Sequence, residues 1–206
     1  MLWSKTFTLY LNMHNYQLLL ASTSPFRQAL LNKLNIPFST VSPTCDETPL
    51  PNETPRNLVA RLAETKAKSC VTLTPSLIIG SDQVCVINGA IVGKPLNREN
   101  AIDQLMAQSG KTITFYTGLS LYNTSTQSSE TIVDEFNVHF RQLDRATIES
   151  YVDKEQPFYC AGSFKSEGLG IALFDSLEGK DPNALVGLPL IDLITLLNNQ
   201  GFNVLA

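Results

Sequence analysis

The sequence predicts an α/β protein built on a mixed, twisted sheet that is flanked by helices. Short apolar runs at residues 16–21 and 77–84 each lie next to a helical pattern, as they do in β–α units. Residues 112–122 and 131–140 alternate apolar and polar side chains on either side of a polar turn, which is typical of a long antiparallel pair. We therefore expect parallel and antiparallel strands in one sheet.

The composition favours one globular domain that spans residues 1–206. The chain is 43% hydrophobic and 17% charged, which provides enough apolar material for a sizeable core. Its net charge of −4 argues against nucleic-acid binding through a basic surface. No stretch approaches the roughly 18 apolar residues of a membrane span, so we expect no membrane partner.

The cysteines are scattered, form no C-x-x-C pair and lie beside neither histidine. This spacing argues against a zinc site and against a disulfide framework. Isolated thiols that serve as small buried apolar groups are typical of a reducing compartment, so we expect a cytoplasmic protein. The cysteines are Cys45, Cys70, Cys85 and Cys160.

Residues 1–15 are predicted to be an extension ahead of the first strand, with no targeting role. Their apolar pattern resembles a signal peptide at first sight, but His14, Asn15 and Gln17 interrupt it and only Lys5 supplies positive charge.

A strand at residues 16–21 is followed by a helix that Ser24 caps, that begins at Pro25 and that Pro37 ends. Arg27 lies in the first turn of this helix, where the helix dipole disfavours a cation. A nearby phosphate would explain its position, because helix N-termini attract anions. The alternative is a plain surface arginine. A second strand is predicted at residues 36–41.

The next loop and helix contain two further candidates. The adjacent carboxylates of Asp46 and Glu47 form either a solvated turn or part of a hard-cation site. A helix is predicted from Pro55 to Cys70, with Lys66 continuing the apolar row of Leu58 and Leu62. The lysine either reaches sideways to solvent or points into a crevice.

Asp82 directly follows the apolar run that ends at Gly80. Ligands of α/β proteins gather outside the carboxyl ends of strands, where a carboxylate can hold a metal ion or activate water. The alternative is that Asp82 only caps a turn. A hairpin at Asn88-Gly89 is expected to return the chain so that Lys94, between a glycine and a proline, approaches Asp82.

The remaining chain predicts three helices, at residues 97–108, 144–154 and 190–199, in addition to the antiparallel pair. The small residues of segment 165–170 indicate a close backbone approach, although the spacing of a phosphate-binding P-loop is missing. Residues 179–189 are predicted to be a loop, and His139 is predicted to be structural.

Several segments together resemble the Maf nucleotide pyrophosphatases, in the order of that family and from about residue 17 to the C-terminus. The segments are Leu20-Ala21-Ser22-Thr23-Ser24-Pro25-Phe26-Arg27, Asp46-Glu47-Thr48, Lys66-Ala67, Gly80-Ser81-Asp82-Gln83, Gly93-Lys94-Pro95, Tyr116-Thr117-Gly118 and Ala161-Gly162-Ser163-Phe164. Each segment is weak alone, but their ordered combination is specific.

Three residues resemble the YceF-type branch of the family, which acts on 7-methylguanosine triphosphate: Phe26, Gln83 and Glu167. The sister branch, which acts on dTTP and UTP, carries arginine, threonine and glutamine there. One departure is Phe26, where the branch has tryptophan, so the stacking face is kept but the indole N–H is lost. An aromatic face and a carboxylate both suit the positive charge of 7-methylguanine.

The resemblance implies a Maf/ITPase-like fold with a central cleft, and hydrolysis between the α- and β-phosphates. Asp82 would accept the proton of the attacking water. The phosphates would be bound by Ser22, Arg27, Lys66 and Lys94. Glu47 and Asp82 would hold a divalent metal cation, Mg²⁺ or Mn²⁺.

The resemblance also implies a homodimer. Two other functions stay open at this point: a dTTP/UTP pyrophosphatase of the same family, and a non-enzymatic nucleotide-binding regulator of septum formation.

Overall fold

The computed structural model describes residues 16–205, and the extension predicted at residues 1–15 lies outside them. Seven strands form one mixed sheet: β1 Gln17–Ala21, β2 Ser39–Val41, β3 Ser76–Ile87, β4 Ala90–Val92, β5 Thr112–Asn123, β6 Ser128–Phe140 and β7 Phe174–Gly179. The helices are α1 Pro25–Asn32, α2 Pro55–Lys68, α3 Arg98–Gln108, α4 Arg145–Glu155, α5 Pro182–Val186 and α6 Leu190–Asn199. The predicted mixed α/β fold is confirmed.

The sheet has the order β2-β1-β3-β5-β6-β7, and β4 pairs with β3. β1 pairs in parallel with β2 and β3, and the other pairs are antiparallel. On one edge of β3, the ladder with β1 ends at Ile79 and the ladder with β4 begins at Cys85. Within the described chain, residues 80–84 therefore have no strand partner on that edge, and this break opens the sheet to a cleft.

Helices α1 to α4 begin where the sequence predicts them, because short polar side chains cap them. Ser24, Thr54, Asn97 and Asp144 each accept a hydrogen bond from a backbone N–H three residues later. The predicted hairpin is also present: Ile87 pairs with Ala90, and Asn88 and Gly89 both have positive φ.

Helix α2 lies unusually close to the centre of the sheet. A Cβ atom added at Gly80 would lie 2.1 Å from the carbonyl oxygen of Ala63, and one added at Gly118 would lie 2.1 Å from that of Val59. These two glycines are near neighbours on β3 and β5. Only glycine permits this approach, which places the far end of α2 over the middle of β3.

Apolar side chains form a core toward each end of the sheet. One core contains Phe115, Phe136 and Phe140 with α3 and α4. The other contains Leu20, Leu31 and Leu119 with α1 and α6. Because β3 and β5 contribute to both, the two cores belong to one sheet, and the open edge at residues 80–84 lies between them.

Some predicted boundaries are wrong. Helix α1 ends at Asn32 rather than at Pro37, because the chain turns early and Asn35 has a φ of 52°. The second strand, predicted at 36–41, begins at Ser39. The region 179–189, predicted as a loop, contains α5, and β7 was not predicted at all. Five of the six residues of β7 are exposed, so it lacks the apolar alternation that would identify it.

Asp82 does not follow the end of its strand, as the sequence suggested. It lies inside β3, which continues to Ile87. The strand that ends beside it is β1, whose last residue is Ala21. The end of β1 therefore opens the edge of β3 beside Asp82, and the ligand rule for strand ends applies to β1. Among the described residues, none of the helices is long and apolar enough to cross a membrane.

The close approach of α2 predicts a large loss of stability for Gly80→Ala. The new methyl group would overlap backbone atoms, which cannot rotate away, so we expect the free energy of unfolding to fall by about 3 kcal/mol or more. Urea denaturation measures this. Gly93→Ala is the matched control, because an added Cβ there meets nothing within 4 Å. Equal losses for the two variants would contradict the packing argument.

We expect the stability of the folded protein to depend on pH because of Asp134 on β6. Burial, followed by the negative charges of Asp192 and Asp181, raises its pKa from 3.8 to about 6, although Lys180 opposes the shift. Between these pH values the folded chain holds a proton that the unfolded chain releases, so the contribution of Asp134 to stability falls as pH rises through this window. Its Oδ1 atom is also buried without a hydrogen-bond partner.

We therefore compare the free energy of unfolding of Asp134→Asn with that of the parent. The difference should favour the variant by about 1 kcal/mol more at pH 7.5 than at pH 4. Thermal unfolding at both pH values measures the difference. Asp144→Asn should show no such gain, because hydrogen bonds from Thr147 lower the pKa of Asp144. A difference between Asp134→Asn and the parent that does not change with pH would contradict the assignment.

Candidate active site

The open edge of β3 faces two connected cavities. The larger is a groove of about 750 Å³, and the smaller has a volume of about 150 Å³. They share seven lining residues: Ser24, Phe26, Arg27, Gln83, Lys94, Tyr159 and Cys160. The groove and the smaller cavity are therefore two parts of one cleft.

The structure brings every predicted site residue to this cleft. The groove is lined by Ser22, Phe26, Arg27, Glu47, Lys66, Asp82, Gln83 and Lys94. The smaller cavity is lined by Glu167 together with Phe26 and Gln83. The three residues expected to read the base thus share the smaller cavity, and the residues expected to bind phosphates or a metal ion line the groove.

Lys66 forms the electrostatic centre of the groove. Its Nζ atom lies 2.6 Å from Oδ1 of Asp82 and 2.9 Å from Oε1 of Glu47. Lys66 and Asp82 are only 6% and 8% exposed. Lys66 therefore points into a crevice and does not reach sideways to solvent. A buried ion pair of this kind is costly to desolvate, and its presence marks the groove as a site for charged groups.

The fold explains why Lys66 meets Asp82. Gly80 and Asp82 are two residues apart on β3 and therefore point to the same face of the sheet. Gly80 lets α2 approach that face, and Lys66 lies about one turn beyond Ala63, which touches Gly80. Leu58, Leu62 and Lys66 lie four residues apart on one side of α2. The first two pack into the core, and Lys66 therefore reaches the carboxylate of Asp82.

Arg27 is half-buried at the start of α1, and its Nε atom donates to the carbonyl of Gly187 at 2.9 Å. Desolvation lowers the pKa of its guanidinium, while the negative charges of Asp82 and Glu47 raise it. Within residues 16–205, the structure gives its terminal nitrogens no acceptor. Arg27 is therefore held in place through one nitrogen and keeps further donors for an anion.

Ser22 supports the same end of the site. It is buried, and its Oγ accepts a hydrogen bond from the backbone N–H of Ser24 at 3.1 Å. The hydroxyl proton remains available to a ligand. The Ser22–Ser24 turn joins the end of β1 to α1, so the serine lies beside the open edge of β3.

Gln83 points to the face opposite Asp82, because neighbouring residues of a strand alternate. Its Nε2 atom donates to Thr117 Oγ1 at 3.0 Å, to the Ala184 carbonyl at 2.7 Å and to the Leu185 carbonyl at 3.2 Å. Because β1 has ended at this level, the cleft wraps around the edge of β3 and reaches both side chains.

The smaller cavity combines an aromatic face with negative charge. Phe26 is 36% exposed in the first turn of α1. Burial, followed by the negative charge of Glu167, raises the pKa of Cys160 to about 11, although Lys165 and Lys94 oppose the shift. Cys160 therefore stays a neutral thiol near pH 7, and the negative charge in this cavity comes from Glu167.

Tyr159 and Cys160 are among the lining residues that the sequence analysis did not assign to the site. Tyr159 is 71% exposed and lines both cavities. Both lie in an irregular segment between α4 and the short helical turn Ala161–Ser163, where no periodic pattern exists. The one available signal was an aromatic pair, Phe158-Tyr159, which lies one residue ahead of the motif Ala161-Gly162-Ser163-Phe164.

The carboxylates could support only a partial metal site. Among residues 16–205, no group of three or more His, Cys, Asp or Glu side chains is arranged to hold a metal ion. Asp82 and Glu47 do converge on one point, which Lys66 Nζ marks. Mg²⁺ is commonly bound by one or two carboxylates plus substrate phosphates, so this donor pair fits such an ion.

The buried pair predicts strong coupling between Lys66 and Asp82. Lys66→Met leaves Asp82 without its 2.6 Å partner, so we expect a loss of about 3 kcal/mol in the free energy of unfolding. The double variant Lys66→Met/Asp82→Asn should lose at least about 1 kcal/mol less than the sum of the single variants. Urea denaturation of all three measures the cycle.

Lys68 on the same helix provides the control. It pairs with Glu64 at the same 2.6 Å, but both side chains are exposed, so Lys68→Met should cost less than about 1 kcal/mol. Strict additivity in the Lys66–Asp82 cycle would contradict the coupling.

Comparison with known proteins places the chain among close relatives. A protein of Vibrio vulnificus (strain CMCP6) named 7-methyl-GTP pyrophosphatase is 72% identical over 193 residues, which cover 94% of this chain and 100% of the relative. A protein of the same name from Vibrio cholerae serotype O1 (strain ATCC 39315 / El Tor Inaba N16961) is 63% identical, with the same coverage of both chains.

One solved structure, that of the Staphylococcus aureus Ham1 protein, matches at 13% identity with a TM-score of 0.42, covering 75% of this chain and 89% of that one. The family model described as Maf-like protein matches residues 17–200. From this match and the identity to the Vibrio proteins, the chain belongs to the Maf family.

Proposed function

We propose that this protein hydrolyses 7-methyl-GTP between its α- and β-phosphates, giving 7-methyl-GMP and pyrophosphate. Membership of the Maf family and the name of the Vibrio relatives, 7-methyl-GTP pyrophosphatase, support this assignment. The observation that carries it is the shared cleft, in which Phe26, Gln83 and Glu167 line one cavity and Asp82 and Lys66 line the adjoining groove.

The proposed chemistry is general-base hydrolysis. Asp82 accepts a proton from water as the water oxygen bonds to phosphorus, and pyrophosphate leaves with the electrons of the broken P–O bond. Lys66, Arg27, Lys94 and Ser22 bind phosphate oxygens and offset the charge that develops on them. The 2.6 Å contact between Lys66 and Asp82 supports this division, because it places the carboxylate directly beside a side chain that would bind phosphate oxygens.

A divalent cation, Mg²⁺ or Mn²⁺, is proposed as the cofactor. Glu47 and Asp82 are the residues that would hold it, together with phosphate oxygens of the substrate. Such an ion would neutralise charge on the phosphates. The support for this pair is that one oxygen of each carboxylate lies within 2.9 Å of Lys66 Nζ, so the two oxygens are close enough to share one cation.

The preference for a methylated purine follows from charge. 7-Methylguanine carries a positive charge, which an aromatic face and a carboxylate both attract. Phe26 offers the face and Glu167 the carboxylate in the same cavity. An arginine in place of Phe26, as in the sister branch, would repel this base.

We also propose a cytoplasmic location, which is supported by four free cysteines. The homodimer expected from the family resemblance stays a prediction.

A substrate panel tests the assignment. Purified protein is incubated with Mg²⁺ and, separately, with 7-methyl-GTP, GTP, dTTP and UTP, and pyrophosphate release is measured. We expect 7-methyl-GTP to give the highest kcat/KM. Turnover of dTTP and UTP alone would transfer the protein to the sister specificity, and no release from any nucleotide would refute the enzymatic proposal.

Asp82→Asn should lower kcat by at least about 100-fold, because the amide cannot take up the proton. Nucleotide binding, measured by calorimetry, should persist, since the phosphate-binding cations remain. The control is Asp103→Asn on α3, an exposed carboxylate outside the cleft, which should leave kcat unchanged. Near-normal turnover by Asp82→Asn would remove Asp82 from the role of base.

A further inference from the structure

The side-chain amide of Gln83 has one possible orientation. Its terminal atom lies 2.7 Å from the carbonyl oxygen of Ala184 and 3.2 Å from that of Leu185. Carbonyl oxygens only accept hydrogen bonds, so the atom that faces them must be the amide nitrogen. The reverse orientation would place three oxygens together.

Thr117 enforces the same orientation from a second direction. Its hydroxyl donates to the Ala184 carbonyl at 3.0 Å. A hydroxyl has one proton, so the Thr117 oxygen can only accept from Gln83, whose Nε2 lies 3.0 Å away. Thr117 is directly opposite Gln83 in the β3–β5 register and only 1% exposed, so water does not compete for these bonds.

The carbonyl oxygen of Gln83 is therefore directed away from α5. Within residues 16–205, the structure gives this oxygen no hydrogen-bond donor, and Gln83 lines both parts of the cleft. Glu167 lines the smaller cavity too, and an ionised carboxylate is an acceptor only. The base-reading cavity thus presents acceptors from two directions.

We infer that Thr117 is a positioning residue for substrate specificity: with the Ala184 and Leu185 carbonyls of α5, it fixes Gln83 so that its carbonyl oxygen accepts a hydrogen bond from the N–H donor edge of the base. In guanine this edge consists of N1–H and the 2-amino group. The inference rests on the proposed function and states how that site recognises the purine. Bases that present an acceptor at this edge leave the Gln83 oxygen unpaired and bind less well.

The test compares 7-methyl-GTP with 7-methylinosine triphosphate, which keeps the positive ring but lacks the 2-amino group. For the parent protein we expect kcat/KM to favour 7-methyl-GTP by at least about tenfold. Thr117→Val should reduce this ratio by threefold or more, through a higher KM for 7-methyl-GTP. Its kcat should change by less than about twofold, because Asp82 and Lys66 lie on the other face of β3.

Thr117→Ser is the conservative control, since it keeps the hydroxyl and should restore the parent ratio. Thermal unfolding of both variants separates a loss of fold from a loss of selectivity. Should Thr117→Val not fold, Gln83→Leu provides the same comparison on a side chain that borders the cleft, and its ratio should approach one.

The outcomes are distinct. No turnover of 7-methyl-GTP by the parent protein would overturn the proposed function and this inference with it. Turnover with a parent ratio near one would leave the function in place and overturn the acceptor role of Gln83. A Thr117→Val variant that lowers kcat/KM equally for both nucleotides would overturn the positioning role.

Discussion

The approach of helix α2 to the middle of the sheet is the constraint on which the site depends. It requires glycine at positions 80 and 118, where any side chain would overlap the helix backbone. The approach brings Lys66 within 2.6 Å of Asp82 and leaves both nearly buried. A helix placed farther out would leave the lysine in solvent and the carboxylate without a partner, and the groove would lose its electrostatic centre.

The other face of the sheet depends on a short segment that the sequence did not reveal as a helix. Backbone carbonyls of Ala184, Leu185 and Gly187 receive hydrogen bonds from Gln83, Ser81 and Arg27. One segment therefore orients side chains from both β3 and α1. Backbone acceptors suit this task, because a carbonyl held in a helical turn has a fixed direction and cannot rotate away as a side chain can.

The sequence predicted the features that local chemistry determines. Caps at Ser24 and Asn97 identified helix starts, and Asn88-Gly89 identified the hairpin, because each signal acts within a few residues. A cation in the first turn of a helix, Arg27, and one on an apolar row, Lys66, were local irregularities that the sequence showed, and long-range packing brings both to the groove. In the structure both residues line the groove, and their roles in catalysis stay predictions.

The features that the sequence analysis missed depend on contacts between residues that are far apart along the chain. The exposed strand β7 has no apolar alternation, and α5 is too short for a periodic signal. Tyr159 lies in an irregular segment and reaches the cleft only because the fold brings that segment beside α1. The orientation of the Gln83 side-chain amide depends on the carbonyl of Ala184, which is 101 residues away along the chain. No local sequence pattern could therefore indicate it.

The placement of Asp82 and Gln83 on opposite faces of one strand has a consequence for how specificity can change. Neighbouring residues that share a cavity wall usually constrain each other's size, so altering one disturbs the other. Here both side chains line the groove, but they leave β3 on opposite faces and each packs against a different helix. Under the proposed roles, substitutions on the α5 side would redirect the enzyme to another nucleobase while the groups beside α2 stay in position. Such an arrangement allows a family to diversify its substrates through one face of a strand and keep one reaction on the other.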